Sequence, residues 1–168
     1  MFYVASALLF VFPALVILGG VYDLRTMTIP NWISIALVVA YVPTAMVLGL
    51  GWQDIAIGLG LGFAALVIGI ALFAFRIMGG GDAKLMSASV VWLGLSGIPP
   101  FILMTALAGG ALSLGLLSAR KWLPQLPVVF PNWAQRLLQP KGDIPYGIAI
   151  AVGAVLAFPQ SQILLKLS

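Results

Sequence analysis

Two aspartates stand where the chain changes from apolar to polar. Asp23 follows an apolar stretch and comes two residues before Arg25, and Asp82 follows three consecutive glycines. Two carboxyl groups that share a water can hydrolyse an amide without a covalent intermediate, because one acts as the base while the other donates a proton. Since two like charges held close together do not both ionise readily, such a pair can supply both forms at once. Asp23 and Asp82 are therefore the candidate catalytic residues.

The remaining residue types narrow the chemistry further. The chain has no histidine and no cysteine, and its four acidic residues are all aspartates. Thiolate ligands, cysteine nucleophiles and imidazole bases are therefore excluded, and no residue calls for a metal or an organic cofactor. Asp54 and Asp143 are predicted to cap helices. Asp143 is the substitute catalyst if one member of the pair fails.

Each half of the candidate pair also has an ordinary structural interpretation. Asp23 could mark the solvated end of a helix, and Asp82 could cap the start of the next one. The three glycines, Gly79, Gly80 and Gly81, are harder to explain in that way, because they give up side-chain packing and helix propensity. They are expected where a second backbone approaches closely, and an extended substrate strand would fit that description.

Further residues near the two aspartates could line the same site. Two basic residues could contact the aspartates or anchor helices at the lipid headgroups, while prolines, an asparagine and a tyrosine could line the site or merely begin helices. Besides the glycines, the candidate site-lining residues are Arg25, Pro30, Asn31, Lys84, Pro145 and Tyr146.

The elements that must position these residues are membrane helices. Of the 168 residues, 62% are hydrophobic and only 7% are charged, too few to cover a water-facing surface. A bilayer crossing takes roughly 20 apolar residues, so an all-α membrane protein with about six transmembrane helices is predicted, as one polytopic domain over residues 1–168. Residues 1–20 have no basic start and no cleavage site, so they are interpreted as the first span. The spans are placed at residues 3–22, 32–50, 55–77, 83–95, 99–118 and 144–164.

The basic residues predict the orientation of these spans. With the N-terminus outside, the loops after the first, third and fifth spans are cytoplasmic and hold all but one of the basic residues, Lys166 being the exception. The net charge of +4 reflects these loops and does not indicate nucleic-acid binding. Both candidate aspartates then lie at the cytoplasmic edge. The polar segment 120–143 is predicted to lie on the membrane surface, with a short helix from Asn132 to Gln139 that Asn132 would cap.

Three stretches of the sequence resemble a known family. Gly79-Gly80-Gly81-Asp82 matches the GxGD pattern of intramembrane aspartic proteases, and Ala83-Lys84-Leu85 continues it as in prepilin leader peptidases. Asp23, Arg25 and Ile29-Pro30-Asn31 match the other aspartate motif of those peptidases. Ile144-Pro145-Tyr146-Gly147 is similar to their Pro-Tyr-Gly stretch.

The resemblance implies an aspartic endopeptidase of the bacterial cytoplasmic membrane. Such enzymes remove a short basic leader from type IV pilin or pilin-like precursors at the cytoplasmic face, and each precursor continues as an apolar helix. Larger members carry a segment with four zinc-binding cysteines and also methylate the trimmed pilin. This chain has neither cysteines nor that insertion, so it resembles the short form associated with Flp/Tad pili. The resemblance to the larger members does not extend to their methyltransferase activity.

Two rival functions remain open from the residues themselves. A small proton- or cation-coupled transporter would use buried aspartates and a glycine-broken helix, although the aspartates here lie at span ends. A non-catalytic membrane partner of a pilus or secretion machine would use the aspartates only as structural caps. Asp→Asn changes would abolish flux in the transporter, leave precursor uncut in the peptidase, and be silent in the partner protein.

Overall fold

The chain is an all-helical protein in its computed structural model, as the composition predicts. The structure describes residues 2–123, 130–140 and 142–166, in which helices are joined by short turns without any β-strand. The helices are α1 (Phe2–Thr26), α2 (Asn31–Val47), α3 (Trp52–Ala74), α4 (Gly80–Trp122), α5 (Asn132–Leu137), α6 (Tyr146–Ala157) and α7 (Gln162–Leu165), with a 3₁₀ turn at Phe158–Gln160 between the last two.

Four stretches are long and apolar enough to cross a membrane. They are Leu8–Thr26, Trp52–Ala74, Gly80–Trp122 and Tyr146–Leu165, and α2 is a shorter apolar helix of 17 residues. A multi-pass membrane protein follows from these helices. They cover the stretches in which six spans are predicted, but the number of spans and their orientation stay predictions.

The fourth and fifth predicted spans both lie in α4, which consists of two helical limbs joined by a sharp kink. Gly94 has φ 64° and ψ −172°, a conformation open almost only to glycine. The helix is therefore interrupted next to the predicted end of the fourth span at residue 95, and a single glycine makes the turn in place of a longer loop. The first limb, residues 80–93, is about 21 Å long and so shorter than the hydrocarbon core of about 30 Å.

The second limb of α4, residues 95–122, runs back alongside α6. Near its start the Ser96 hydroxyl donates to the carbonyl of Gln160, and near its end Arg120 donates to the carbonyl of Asp143. Residues that are far apart in α4 thus lie at the two ends of the antiparallel α6. The first and last turns of α4 consequently lie at the same end of the bundle.

Glycines let the first limb of α4 pack closely on its neighbours. A Cβ atom on Gly69 of α3 would lie 2.8 Å from the Cβ of Ala83, next to Asp82 in the sequence. On the opposite side, Gly19 of α1 receives the side chain of Leu85. Near the end of the first limb of α4, the centroid of the buried Trp92 ring lies 5.4 Å from that of the Phe12 ring of α1. These contacts fix the first turn of α4 between α1 and α3.

Asp54 lies in the first turn of α3, where a cap is predicted. The N-cap itself is Gly51, and the Asp54 carboxyl turns back toward the backbone N–H of that glycine. This is the half of a capping box that the third helical residue supplies. The Asp54 carboxylate also forms an ion pair with Lys166 and accepts a hydrogen bond of 2.9 Å from the Gln162 side chain.

The predicted caps at Asp143 and Asn132 are wrong for a shared reason. Each helix begins after a proline in a non-helical conformation, Pro145 for α6 and Pro131 for α5, and neither start has a side-chain cap. The short helix itself is present, ending at Leu137. Of the polar segment around it, residues 124–129 and Lys141 lie outside the described residues.

Candidate active site

Asp23 lies in the last turn of α1 and is almost completely buried, with 7% of its surface exposed. Its Oδ2 accepts a hydrogen bond of 2.7 Å from the backbone N–H of Gly147, at the start of α6. The first N–H groups of a helix have no partner within that helix, so the carboxylate satisfies one of them and lies at the positive end of the helix dipole. Residues 124 positions apart are thereby joined.

A strained turn directly after Asp23 ends α1. Met27 has φ 57°, in the left-handed region that favours glycine, and its N–H donates to the carbonyl of Asp23 at 2.7 Å. This is the arrangement of a helix that ends in a left-handed residue. The turn directs the following residues, including the buried Ile29, back toward the aspartates.

Asp82 is the third residue of α4, so it does not occupy the capping position that its ordinary interpretation assumed. The N-cap is Gly79, and the Asp82 carboxyl turns back toward the backbone N–H of that glycine. This is half of a capping box, in which the third helical residue reaches back to the N-cap. The Asp82 side chain is half-buried.

The two aspartates come together from different helices, close enough for their charges to interact. Ile29 lies between the backbones next to them. A Cβ on Gly81, the neighbour of Asp82, would be 3.2 Å from the Ile29 Cβ, and a Cβ on Gly147 would be 3.0 Å from its Cδ1. A buried apolar side chain therefore sets the spacing between the turns that carry the two carboxyl groups.

Close contacts within the protein involve all three glycines before Asp82. A Cβ on Gly79 would lie 2.8 Å from the Asp82 Oδ2, that on Gly81 meets Ile29, and that on Gly80 would touch the Phe73 ring at 3.4 Å. The backbone that approaches Gly81 is thus the chain's own. Contact of the glycines with a substrate strand stays a prediction. Beside them opens a cleft of about 550 Å³, lined by Phe73, Ala74, Arg76, Ile77, Met78 and Gly79.

Lys84 and Asn31 meet at the edge of the site. The Lys84 ammonium donates to the Asn31 side-chain oxygen at 2.9 Å, which ties the second turn of α4 to the first residue of α2. Both residues are exposed. Pro30 is the N-cap of α2 and Asn31 its first residue. In the structure Lys84 and Asn31 therefore connect α4 with α2. That Lys84, Asn31 and Pro30 line the site stays a prediction.

Pro145 and Tyr146 begin α6 immediately before the glycine that binds Asp23. Pro145 is buried, while the ring of Tyr146 turns away from the aspartates, toward Gly109 and Ser113 of α4. The Tyr146 hydroxyl lies 3.3 Å from that of Ser113. The backbone of this stretch thus reaches the site, and the tyrosine side chain does not.

Arg25 is exposed two residues beyond Asp23, and its carbonyl accepts a hydrogen bond of 2.9 Å from Arg136 of α5. Asp143 is exposed at the same end of the bundle. Asp54 lies at the opposite end with Lys166. The pair formed by α1 and α4 is therefore Asp23 and Asp82, as the sequence predicts, without a third carboxylate beside it among the described residues.

Sequence reasoning missed two residues that contact this site, Gly147 and Ile29, and it also missed the hydrogen bonds of Arg120 to the segment before α6. Gly147 stands in the Pro-Tyr-Gly stretch and Ile29 in the Ile-Pro-Asn stretch, so their motifs were visible although their contacts were not. Nothing in the sequence except its charge distinguished Arg120. Its partners are main-chain carbonyls, which every residue has, so they cannot be predicted from residue types.

Comparison with models of known protein families gives a match to this chain. A model of the type IV leader peptidase family matches residues 10–114, which include both aspartates. No curated protein and no solved structure shows a significant match to the chain.

Proposed function

Because the chain belongs to the type IV leader peptidase family, we propose that it removes the leader of type IV prepilins by aspartic chemistry, with Asp23 and Asp82 as the catalytic pair. The observation that carries this proposal is the convergence of two aspartates from α1 and α4 at one end of the bundle. One of them is buried and oriented by a backbone N–H, and the other is half-buried beside a glycine turn.

The reaction needs only a water between the two carboxyl groups. The ionised carboxylate takes a proton from the water as its oxygen attacks the scissile carbonyl carbon, while the protonated partner gives its proton to the carbonyl oxygen. A neutral tetrahedral diol results. The carbon–nitrogen bond then breaks as the leaving nitrogen receives a proton from the first aspartic acid, and the hydroxyl proton returns to the second aspartate. The starting protonation states are thereby restored.

The proposed substrate is a precursor with a short basic leader followed by an apolar helix. That helix would partition into the bilayer beside the spans and leave the scissile bond at the depth of the two aspartates. Holding the bond there supplies much of the barrier reduction, since positioned reactants gain several kcal/mol over free encounter. The proposed location is the cytoplasmic face of the bacterial cytoplasmic membrane, and the absence of cysteines from the sequence favours a Flp-type precursor.

The test is co-expression with a candidate Flp-type prepilin, with leader removal scored by gel mobility and mass spectrometry. Wild type, Asp23→Asn and Asp82→Asn are compared at matched membrane levels. We expect wild type to trim the precursor and both variants to leave it intact, because asparagine cannot take or give the required proton.

Asp54→Asn is the matched control. It makes the same chemical change at the opposite end of the bundle, where Asp54 pairs with Lys166, and we expect it to cleave normally. If Asp23→Asn or Asp82→Asn cleaves at the wild-type rate, the assignment of the pair is wrong. Loss of cleavage in all three variants would indicate a folding defect in place of a catalytic one, and thermal stability in detergent would identify it.

A further inference from the structure

Arg120 binds three main-chain carbonyls in the segment that leads into α6. Its Nε donates to the carbonyl of Leu137 at 2.8 Å, and its Nη2 donates to those of Gly142 at 2.7 Å and Asp143 at 3.1 Å. The guanidinium group can hold several acceptors at once because it is planar and carries five N–H donors in a rigid fork. Arg120 is half-buried, so these bonds are partly shielded from water.

The bound segment leads directly to Asp23. The carbonyls of Gly142 and Asp143 lie just before the buried Pro145, and the N–H that binds the Asp23 Oδ2 belongs to Gly147. Proline fixes its own φ and restricts the residue before it, so this short connection has little conformational slack. The position of the Gly147 N–H therefore depends on where Arg120 holds the chain.

A second arginine ties the same region to α1. The Arg136 Nη2 of α5 donates to the carbonyl of Arg25 at 2.9 Å, two residues beyond Asp23. Because α4 reverses at Gly94, the helix that carries Asp82 in its first turn carries Arg120 in its last turn. Thus α4 carries Asp82 itself and, through Arg120, contacts the segment that leads to Gly147, whose N–H binds Asp23.

We propose that Arg120 is a positioning residue for the catalytic pair: by holding the carbonyls of Leu137, Gly142 and Asp143 it places the Gly147 N–H, and through it the Asp23 carboxylate, opposite Asp82. The inference rests on the proposed function. Arg120 and Gly147 both lie beyond residues 10–114, where the family model matches. Part of the geometry of the site is therefore supplied by a region that the match does not cover.

The test is steady-state cleavage of a prepilin by the purified full chain in mixed lipid–detergent micelles. We expect Arg120→Ala to lower kcat about ten- to a hundredfold and to leave KM within about twofold, because misplacing Asp23 affects the transition state more than substrate binding. Arg120→Lys keeps fewer donors and should retain intermediate activity. Guanidinium ion at millimolar concentration should restore part of the kcat of Arg120→Ala, which it could not do for a misfolded chain.

Two further variants make the result specific. Lys121→Ala removes the same charge one residue away, where the ammonium lies 5.5 Å from the centroid of the Trp122 ring, and should keep wild-type kcat. Gly142→Ala keeps every charge but places a Cβ 2.8 Å from the Arg136 carbonyl oxygen and 3.3 Å from the Arg120 Nη2. It should lower kcat with little change in KM, as Arg120→Ala does.

Asp23→Asn and Asp82→Asn in the same assay distinguish a failure of the proposed function from a failure of the positioning role of Arg120. If these variants still cleave, the proposed function fails. If they are inactive while Arg120→Ala keeps wild-type kcat, or loses only substrate affinity, the positioning role alone is overturned. It is also overturned if guanidinium restores nothing and Gly142→Ala behaves as wild type.

Discussion

Asp23 and Asp82 are held by different local means, and both depend on backbone groups. Asp23 lies in the closing turn of α1 and receives the Gly147 N–H, whereas Asp82 lies in the opening turn of α4 and turns back toward Gly79. No basic side chain forms an ion pair with either carboxylate among the described residues. Backbone donors orient a carboxylate without bringing in a full charge, so one member of the pair can stay protonated.

Gly147→Ala is expected to reduce cleavage at least tenfold. The new Cβ would lie 2.8 Å from the Asp23 Cβ and 2.9 Å from its Oδ2, so the carboxylate must move or lose its N–H donor. Overpacking of this kind costs about 1–3 kcal/mol of stability. Both cleavage and thermal unfolding in detergent should be measured.

The control for that substitution is Gly110→Ala. Gly110 is exposed within α4, and a Cβ there would meet nothing within 4 Å. It should cleave as wild type and unfold at the same or a slightly higher temperature, since alanine favours a helix. Normal cleavage by a well-folded Gly147→Ala would show that the position of Asp23 does not depend on Gly147.

At the residue scale, the sequence predicted which carboxylates come together but not what holds them. Asp23 and Asp82 could be paired because the basic residues predict that both lie on one side of the membrane. The Gly147 contact could not be predicted, because an N–H group is present at every non-proline position and only the fold selects one of them. The predicted cap at Asp143 failed because helix propensity takes no account of Pro145, which occupies the N-cap position of α6.

At the scale of the elements, the conformation of Gly94 decides where the second limb of α4 goes. We expect Gly94→Ala to lower the free energy of unfolding by about 2–3 kcal/mol, because φ 64° with ψ −172° is strained for any residue with a Cβ. The added atom would also lie 2.7 Å from the Gln162 Oε1. Thermal unfolding of the purified protein measures the effect.

Gly60→Ala is the matched substitution, since a Cβ on Gly60 of α3 would meet nothing within 4 Å. It should be neutral or stabilising by up to about 1 kcal/mol. Equal stability of Gly94→Ala and Gly60→Ala would mean that the chain can turn at this point without the glycine conformation.

The turn at the end of α3 has a residue other than glycine in the left-handed conformation. Arg76 has φ 58° at the position after the helix where glycine is usual, and the N–H of Ile77 donates to the carbonyl of Leu72 at 2.9 Å as in a Schellman motif. Arg76→Gly is therefore expected to stabilise the protein by about 0.5–1 kcal/mol. Arg76→Ala removes the same charge and keeps the strain, so it should gain nothing. An equal rise in unfolding temperature for both variants would assign the effect to charge.

The helical stretches were predictable because apolar runs of this length have few other solutions. The break between the fourth and fifth spans was predicted close to Gly94, where it occurs, but the backbone conformation at the break was not. The bend occurs at Gly94 because it must meet α7 and the end of α6, and such contacts depend on the whole fold. A glycine within an apolar run gives no indication of which of its conformations the fold uses.

At the scale of the whole molecule, charge is divided between the two ends of the bundle. Arg25, Arg120 and Arg136 are linked through main-chain carbonyls at the end that holds the aspartates, while Lys166 pairs with Asp54 at the other. The sequence predicted this division from the basic residues alone. Since positive charge is retained in the cytoplasm, the end with the aspartates should be cytoplasmic.

Because the sequence has no cysteine, single introduced cysteines can test this orientation. Trp52 is 70% exposed at the start of α3 and Trp122 is 62% exposed at the end of α4, at opposite ends of the bundle. A maleimide that cannot cross membranes should label Trp52→Cys on spheroplasts, whereas Trp122→Cys should react only after permeabilisation. Both variants should still cleave prepilin, which shows that the labelled protein is folded. The reverse pattern would place the aspartates outside, where a cytoplasmic leader could not reach them, and would exclude the proposed reaction as well as the orientation.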